Sequence, residues 1–220
     1  MNTVKENLLR VKEEIALYTP NIIAVTKYFD ESKIIEAYDA GLRDFGESRI
    51  PEAVEKIHKL PQEIRENSRF HLIGHLQANK VRKALGNFDY IHSVDSLKLA
   101  QIISQEALKM NIKQKVLLQL NNANEVQKFG FSRDEIFKNF EQLKSLEGIN
   151  IVGLMNMAPF GLEERELKEL FLDIVKIRDE LEKKFDCKLK ELSMGMSGDY
   201  KEAVVAGATM IRLGRKLFSQ

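Results

Sequence analysis

The chain has 220 residues, and its 34 lysines and arginines nearly cancel 33 aspartates and glutamates, leaving a formal charge of +1 with no global pull toward nucleic acid. With 44% hydrophobic and 30% charged residues it carries enough apolar side chain for a folded core, which excludes a disordered protein. It has no apolar run long enough to span a membrane, no uncharged core for a secretory leader and one cysteine, Cys187; a soluble cytoplasmic protein without disulfides or a thiolate metal site is expected.

From Val4 to Tyr18, Leu8, Val11, Ile15 and Tyr18 recur at helical spacing between charges, and Pro20 ends the pattern. The β-branched run IIAVTK predicts a strand over Ile22–Lys27, followed by a helix from Ser32 to Ala40 that Gly41 stops. Further strands are predicted over Asp44–Glu47, Phe70–Gly74, Tyr90–Val94, Lys115–Asn121, Asn150–Met155, Glu191–Met194 and Thr209–Leu213. Helices between them cover Ile50–Leu60, Gln77–Leu85, Ser96–Lys109, Arg133–Leu146, Glu163–Phe185 and Asp199–Ala206. Eight strands followed by helices predict an α/β fold with one domain over residues 1–220, a (β/α)8 TIM barrel with an extra N-terminal helix. A doubly wound open sheet is the competing architecture, since LRDFGE and TMIRLG, the second and eighth strands, also read as loops.

A barrel carries its chemistry at the C-terminal ends of its strands. Those ends read Thr26-Lys27, Gly46-Glu47-Ser48, Gly74-His75, Asn121-Asn122, Met155-Asn156, Ser193 to Ser197, and Arg212-Leu213-Gly214. Strand alternation puts Ile23, Val25 and Lys27 on one face. A lysine enclosed by apolar wall loses solvation and becomes suited to Schiff-base chemistry; the alternative is a surface lysine opening the loop to Asp30. The tail SMGMSGDYKEAVVAGATMIRLG has the layout of a phosphate cradle, with Gly195 and Gly198 allowing close backbone approach, a Ser197 hydroxyl, and a Gly214 amide beside Arg215. Ser197 or Asp199 as a plain N-cap is the alternative. His71 and His75 flank a strand and read as packed or capping residues rather than metal ligands. Phe70, Phe88, Phe129 and Phe131 read as core or rim, and the charges from Glu163 to Lys184 as the solvated face of a helix.

The motifs IIAVTK, AGLRDFGES, RFHLIGHLQANK, IHSVDS, LLQLNNANEVQKFGF, GLMNM, ELSMGMSGD and AGATMIRLG follow one another along nearly the whole chain. In that order they resemble the pyridoxal 5′-phosphate homeostasis family. The resemblance implies a barrel related to the N-terminal domain of alanine racemase, carrying pyridoxal 5′-phosphate as a Schiff base on the lysine that ends the first strand, here Lys27. It further implies phosphate contacts from Ser197, Gly214 and the Arg215 amide, Arg212 facing the pyridine nitrogen, and Asn121 and Met155 as walls near the ring. An arginine at that nitrogen disfavours its protonation and weakens the cofactor as an electron sink.

Three features depart from the family pattern. Ser48 stands where Asn is frequent, Arg215 replaces a small hydroxyl residue, and the chain stops at Leu217-Phe218-Ser219-Gln220. Racemisation needs a base on each face of the substrate carbon, and in racemase relatives the second is a tyrosine from another domain. With the eighth unit ending close to Gln220, no such domain is expected, although Tyr28 and Tyr200 lie near the predicted mouth. The expectation is a monomeric, non-catalytic or feebly catalytic carrier or regulator in vitamin B6 metabolism, delivering cofactor to pyridoxal phosphate-dependent apoenzymes. A racemase with an open site and a Schiff-base aldolase are the alternatives.

Overall fold

Short β-branched and apolar runs alternate with amphipathic segments, and in the computed structural model, which describes residues 3–123 and 129–219, the runs close into a ring. The strands are β1 (Asn21–Val25), β2 (Asp44–Glu47), β3 (Arg69–Leu72), β4 (Tyr90–Val94), β5 (Gln114–Leu120), β6 (Ile149–Asn156), β7 (Glu191–Met196) and β8 (Met210–Leu213). Neighbours in sequence pair in parallel, and β1 also pairs with β8, so the open-sheet alternative is ruled out. Ile23 is the hinge of that closure, opposite Asp44 on one side and Arg212 on the other.

Helix α1 (Thr3–Glu14) precedes the barrel; α2 (Glu31–Asp39), α3 (Ile50–Lys59), α4 (Gln62–Glu66), α5 (Val81–Ala84), α6 (Leu97–Lys109), α7 (Arg133–Lys144), α8 (Glu164–Phe185), α9 (Tyr200–Ala206) and α10 (Arg215–Phe218) follow the strands. Local chemistry fixes their starts: Asp30 caps α2, Ser96 caps α6, and Ser132 with Glu135 forms a capping box on α7. Along α8, Leu167, Phe171, Ile174, Ile177 and Leu181 are buried at helical spacing, so its charges form the solvated face that the sequence implied.

Several boundaries differ from expectation. β1 stops at Val25, because the Phe29 amide turns back onto the Thr26 carbonyl at 3.0 Å and takes Lys27 out of the strand. α1 ends at Glu14, and a bond from the Tyr18 amide to Ile15 O of 2.7 Å folds the rest of the predicted helix into a turn. The segment Gln77–Leu85 divides into a 3₁₀ turn over Ala78–Lys80 and α5. The short α4 and α10 carry too little periodic pattern to be read in advance. Residues 124–128 of the LLQLNNANEVQKFGF motif, and Gln220, lie outside the described residues. Among the described residues no helix is long and apolar enough to cross a membrane.

Two layers of packing result. The outward faces of the strands (Ile22, Ala24, Phe45, Leu118 and Ile211 among them) join the helices in one apolar cluster. Ile23, Leu117, Met155 and Met210 are buried but stand apart from that cluster, and polar residues share the interior with them. The barrel is tight where β6 meets β7: a Cβ on Gly153 would lie 1.8 Å from the Glu191 carbonyl oxygen.

The N-terminal helix is fastened over the last one. Asn7 Nδ2 donates to Leu217 O at 3.0 Å and to Ser219 O at 2.9 Å. Glu14 accepts from the Tyr200 hydroxyl and pairs with Lys201 at 2.9 Å and Lys216 at 3.0 Å. The Tyr200 hydrogen bond, then Lys201, holds the Glu14 carboxyl down at about 2.

Gly153→Ala is expected to cost about 3 kcal/mol in urea denaturation, since the obstacle is backbone and cannot rotate away. Glu14 titrates near 4.5 when unfolded and about 2 when folded, so its contribution is complete above pH 4.5 and fades as pH falls toward 2. The stability difference between the native sequence and Glu14→Gln should therefore shrink through that window, measured by urea denaturation at a series of pH values.

Candidate functional site

At the mouth of the barrel the loop after β1 is held by an ion pair. Thr26 is buried and donates to Glu47 Oε1 at 2.6 Å; Lys56, reaching in from α3, meets the same oxygen at 2.6 Å. The Lys56 ammonium also donates to Thr26 O at 2.9 Å and Phe29 O at 2.8 Å. One ammonium thus bridges the two carbonyls that bracket Lys27. Burying that pair is tolerable because each charge faces the other and the remaining ammonium protons have carbonyl acceptors.

The Lys27 side chain itself is exposed, with its ammonium 5.0 Å from the Tyr28 ring centroid. The apolar enclosure expected from strand alternation is not built, because the turn begins one residue before Lys27 and alternation no longer applies there. The lysine instead lines a cavity of about 270 Å³ with Phe29, Glu47, Arg49 and Lys56.

Deeper in the barrel, Arg212 is 4% exposed. Its Nη1 donates to Ser193 Oγ and its Nη2 to Asn156 O, each at 2.7 Å. Burial pulls the guanidinium down to about 10, a loss that Asp199 offsets only in part. Among the described residues two lysines or arginines are buried; Lys56 has its carboxylate, whereas Arg212 has only these neutral acceptors. A cation in that position favours a ligand that brings an acceptor or a negative charge.

Above it, the loops after β7 and β8 converge. Ser197 Oγ accepts from the Gly214 amide at 3.3 Å and from the Lys216 amide at 3.2 Å. These long bonds leave a hydroxyl and two backbone N–H groups gathered at one point, a donor set suited to a phosphate. Arg215 is exposed, and the second amide in this group belongs to Lys216, whose side chain is engaged by Glu14. Gly195 is required at φ +91°, with a Cβ only 2.6 Å from Ala203, so its role is to let β7 pass α9. Gly198 has nothing within 4 Å of a Cβ, so the space beside its backbone is open. Asp199 Oδ1 accepts from the Met196 amide instead of capping α9.

Met155 is fully buried on β6, opposite Gln119 and Ser193, and so contributes to the interior wall. Asn121 is half-buried at the end of the β5 segment, its amide bonded to Phe131 O at 3.0 Å. Gly74 lets the β3 loop pass the β2 loop, for a Cβ would lie 2.5 Å from Ser48 O. His75 stacks on Phe129 at 3.8 Å and approaches Asp95 at 3.2 Å, while Phe70, Phe88 and Phe131 are core. His71 is buried and has a carboxylate partner, Asp44, at 2.9 Å, which its sequence neighbourhood gave no reason to expect. Among the described residues no cluster of three or more potential ligands is arranged for a metal. Tyr200, considered as a base at the mouth, has its hydroxyl bonded to Glu14, and burial with that carboxylate pushes the phenol up.

Sequence reasoning singled out Lys27, Ser197, Arg212 and Gly214, named Ser193 only among the strand ends, and passed over Lys56, His92 and Lys216. A lysine on the inward stripe of α3, after Ala53 and Val54, was the available signal for Lys56.

The alanine racemase N-terminal domain family matches residues 1–219. A pyridoxal phosphate homeostasis protein of Synechocystis is 42% identical over 208 residues, covering 94% of each chain. Among solved structures, PipY of Synechococcus elongatus without PLP superposes with a TM-score of 0.92 at 38% identity, and PipY with PLP bound at 0.88 and 37%. Each covers 98% of this chain and 100% of PipY.

Removing one partner of the buried mouth pair should be far worse than removing both. Glu47→Leu leaves Lys56 uncompensated and is expected to cost about 3–5 kcal/mol, much of it recovered by adding Lys56→Met; a chemical denaturation cycle measures the difference.

Proposed function

Because the chain belongs to the pyridoxal phosphate homeostasis family, built on the alanine racemase N-terminal barrel, we propose that it binds pyridoxal 5′-phosphate covalently through Lys27 and serves the homeostasis of that cofactor with little or no catalysis. The observation that carries this reading is Arg212, a buried guanidinium with neutral acceptors only, lying between the strand that leads to Lys27 and the Ser197–Gly214 loops.

The residues present suit the group. Ser197 Oγ with the Gly214 and Lys216 amides would hold the phosphate, and Arg212 would donate to the ring nitrogen. Met155 would wall the ring, with Asn121 at the rim, and Lys27 would attach to the aldehyde. When bound, pyridoxal phosphate supplies an electron sink for reactions at the α-carbon of amino acids. Arg212 works against that use, because a donor that keeps its own proton leaves the ring nitrogen unprotonated. Lys56 keeps the loop carrying Lys27 in place by holding the carbonyls on either side of it. The Tyr200 hydroxyl, tied to Glu14, is not free to act as a second base, which leaves the exposed Tyr28 as the other tyrosine near the mouth. In this reading the protein works as a cytoplasmic monomer whose recipients are pyridoxal phosphate-dependent apoenzymes.

The test is a visible absorbance spectrum with intact and peptide masses before and after borohydride reduction. A yellow protein that gains one reduced pyridoxal phosphate on the Lys27 peptide is expected, and Lys27→Ala should lose the adduct while folding normally. An adduct at full occupancy in Lys27→Ala would reject that lysine, and a colourless protein that takes up no added cofactor would reject the reading. Solvent exchange of amino-acid α-protons should stay at background; exchange that scales with bound cofactor and vanishes in Lys27→Ala would make the protein an enzyme.

A further inference from the structure

Five groups from five strands are joined end to end across the barrel interior. Arg212 Nη1 donates to Ser193 Oγ at 2.7 Å, and Ser193 Oγ lies 2.9 Å from His92 Nδ1. His92 Nε2 lies 2.9 Å from His71 Nδ1, and His71 Nε2 lies 2.9 Å from Asp44 Oδ1. Arg69 completes the far end with bonds of 2.8 and 2.6 Å to Asp44, its own side chain reaching solvent. None of the five, Asp44 to Arg212, is more than 5% exposed.

The two ends dictate the direction of donation, since a guanidinium only donates and a carboxylate only accepts. Asp44 takes the Nε2 proton of His71, which leaves His71 Nδ1 as an acceptor. His92 fills it with its own Nε2 proton, and His92 Nδ1 accepts the Ser193 hydroxyl proton. Ser193 Oγ keeps a lone pair for Arg212. Every link is then satisfied with both imidazoles neutral. A further proton on either ring would set a second cation near Arg212 and leave the Ser193 hydroxyl proton without its acceptor. Burial, first, and the nearby Arg212 charge hold His92 well below the usual histidine range. For Asp44, burial pushes the carboxyl up, but the bonds from His71 and Arg69 outweigh it and keep it low.

We infer that Asp44, His71, His92 and Ser193 are positioning residues, a one-way hydrogen-bond chain that fixes the Arg212 guanidinium as a permanent donor toward the ligand's ring. The chain stands on the barrel's own geometry; its effect on the ligand rests on the reading of pyridoxal phosphate binding given above.

Long-range proton–nitrogen NMR of the unaltered, cofactor-free protein reads the tautomers directly. Both His71 and His92 are expected as Nε2–H tautomers, with the proton between the rings carried by His92. A proton on His92 Nδ1, or an imidazolium at either ring, overturns the chain whether or not a ligand binds. The second arm compares Ser193→Ala, which lacks the hydroxyl, with Ser193→Thr, which keeps it. Followed by the absorbance of added pyridoxal phosphate, the alanine variant should bind about tenfold more weakly and the threonine variant close to the native protein. Unchanged affinity in Ser193→Ala, with only its melting temperature lowered, would reduce Ser193 to a packing residue and overturn the positioning role. No uptake by the native protein would reject the cofactor reading, and the tautomers would still decide the chain.

Discussion

A guanidinium enclosed by a closed sheet must be given acceptors by the sheet itself, and much of the interior follows from that demand. Arg212 is held inside the ring by Ser193 and the Asn156 carbonyl, and Ser193 in turn needs His92, which needs His71, which needs Asp44. Barrels of this type usually fill with branched apolar side chains. Among the described residues, Ile23, Leu117, Met155 and Met210 are the apolar side chains buried outside the main cluster, and they share the interior with the polar chain. Cohesion is therefore carried mainly by the outer layer, where strands meet helices, and the interior is left to hold side chains in fixed directions.

The mouth is organised by a separate device. Lys56 and Glu47 hold the backbone around Lys27, apart from the hydrogen-bond chain that holds Arg212. The two are connected through β1, whose Ile23 sits between Asp44 and Arg212 and whose continuation is Thr26. One strand thus sets the spacing between the lysine loop and the buried arginine. A third support, the Glu14 clasp, acts on α9 and α10 from outside and engages the Lys216 side chain while its amide faces Ser197.

The repeating pattern of strand and helix made the barrel legible, because burial on both faces of a parallel strand produces continuous apolar runs and each outer helix carries its own stripe. The places of Lys27, Ser197, Arg212 and Gly214 at or just past strand ends were legible as well. What escaped was whatever depends on partners distant in sequence. Ser193 and His92 are 101 residues apart, and nothing near either announces the other. His71 looked isolated because its carboxylate lies 27 residues earlier. The exposure of Lys27, one of the two readings the sequence left open, has a local cause: a turn closing on Thr26 ends the alternation one residue too soon. Arg215 drew attention as an unusual side chain, and that side chain is exposed, while the neighbouring Lys216 amide bonds Ser197.

The seam between β1 and β8 has a consequence for the making of the protein. Lys27 belongs to the first repeating unit, whereas Ser197, Arg212 and Gly214 belong to the last two, and they become neighbours only when that seam forms. During synthesis the lysine emerges from the ribosome well ahead of the loops proposed to hold the phosphate. In the proposed reading, a nascent chain exposes the Lys27 amine but has no cradle to retain a cofactor. Stable loading would then be confined to chains that have finished closing their ring, with cofactor occupancy a mark of completed folding rather than a scaffold for it.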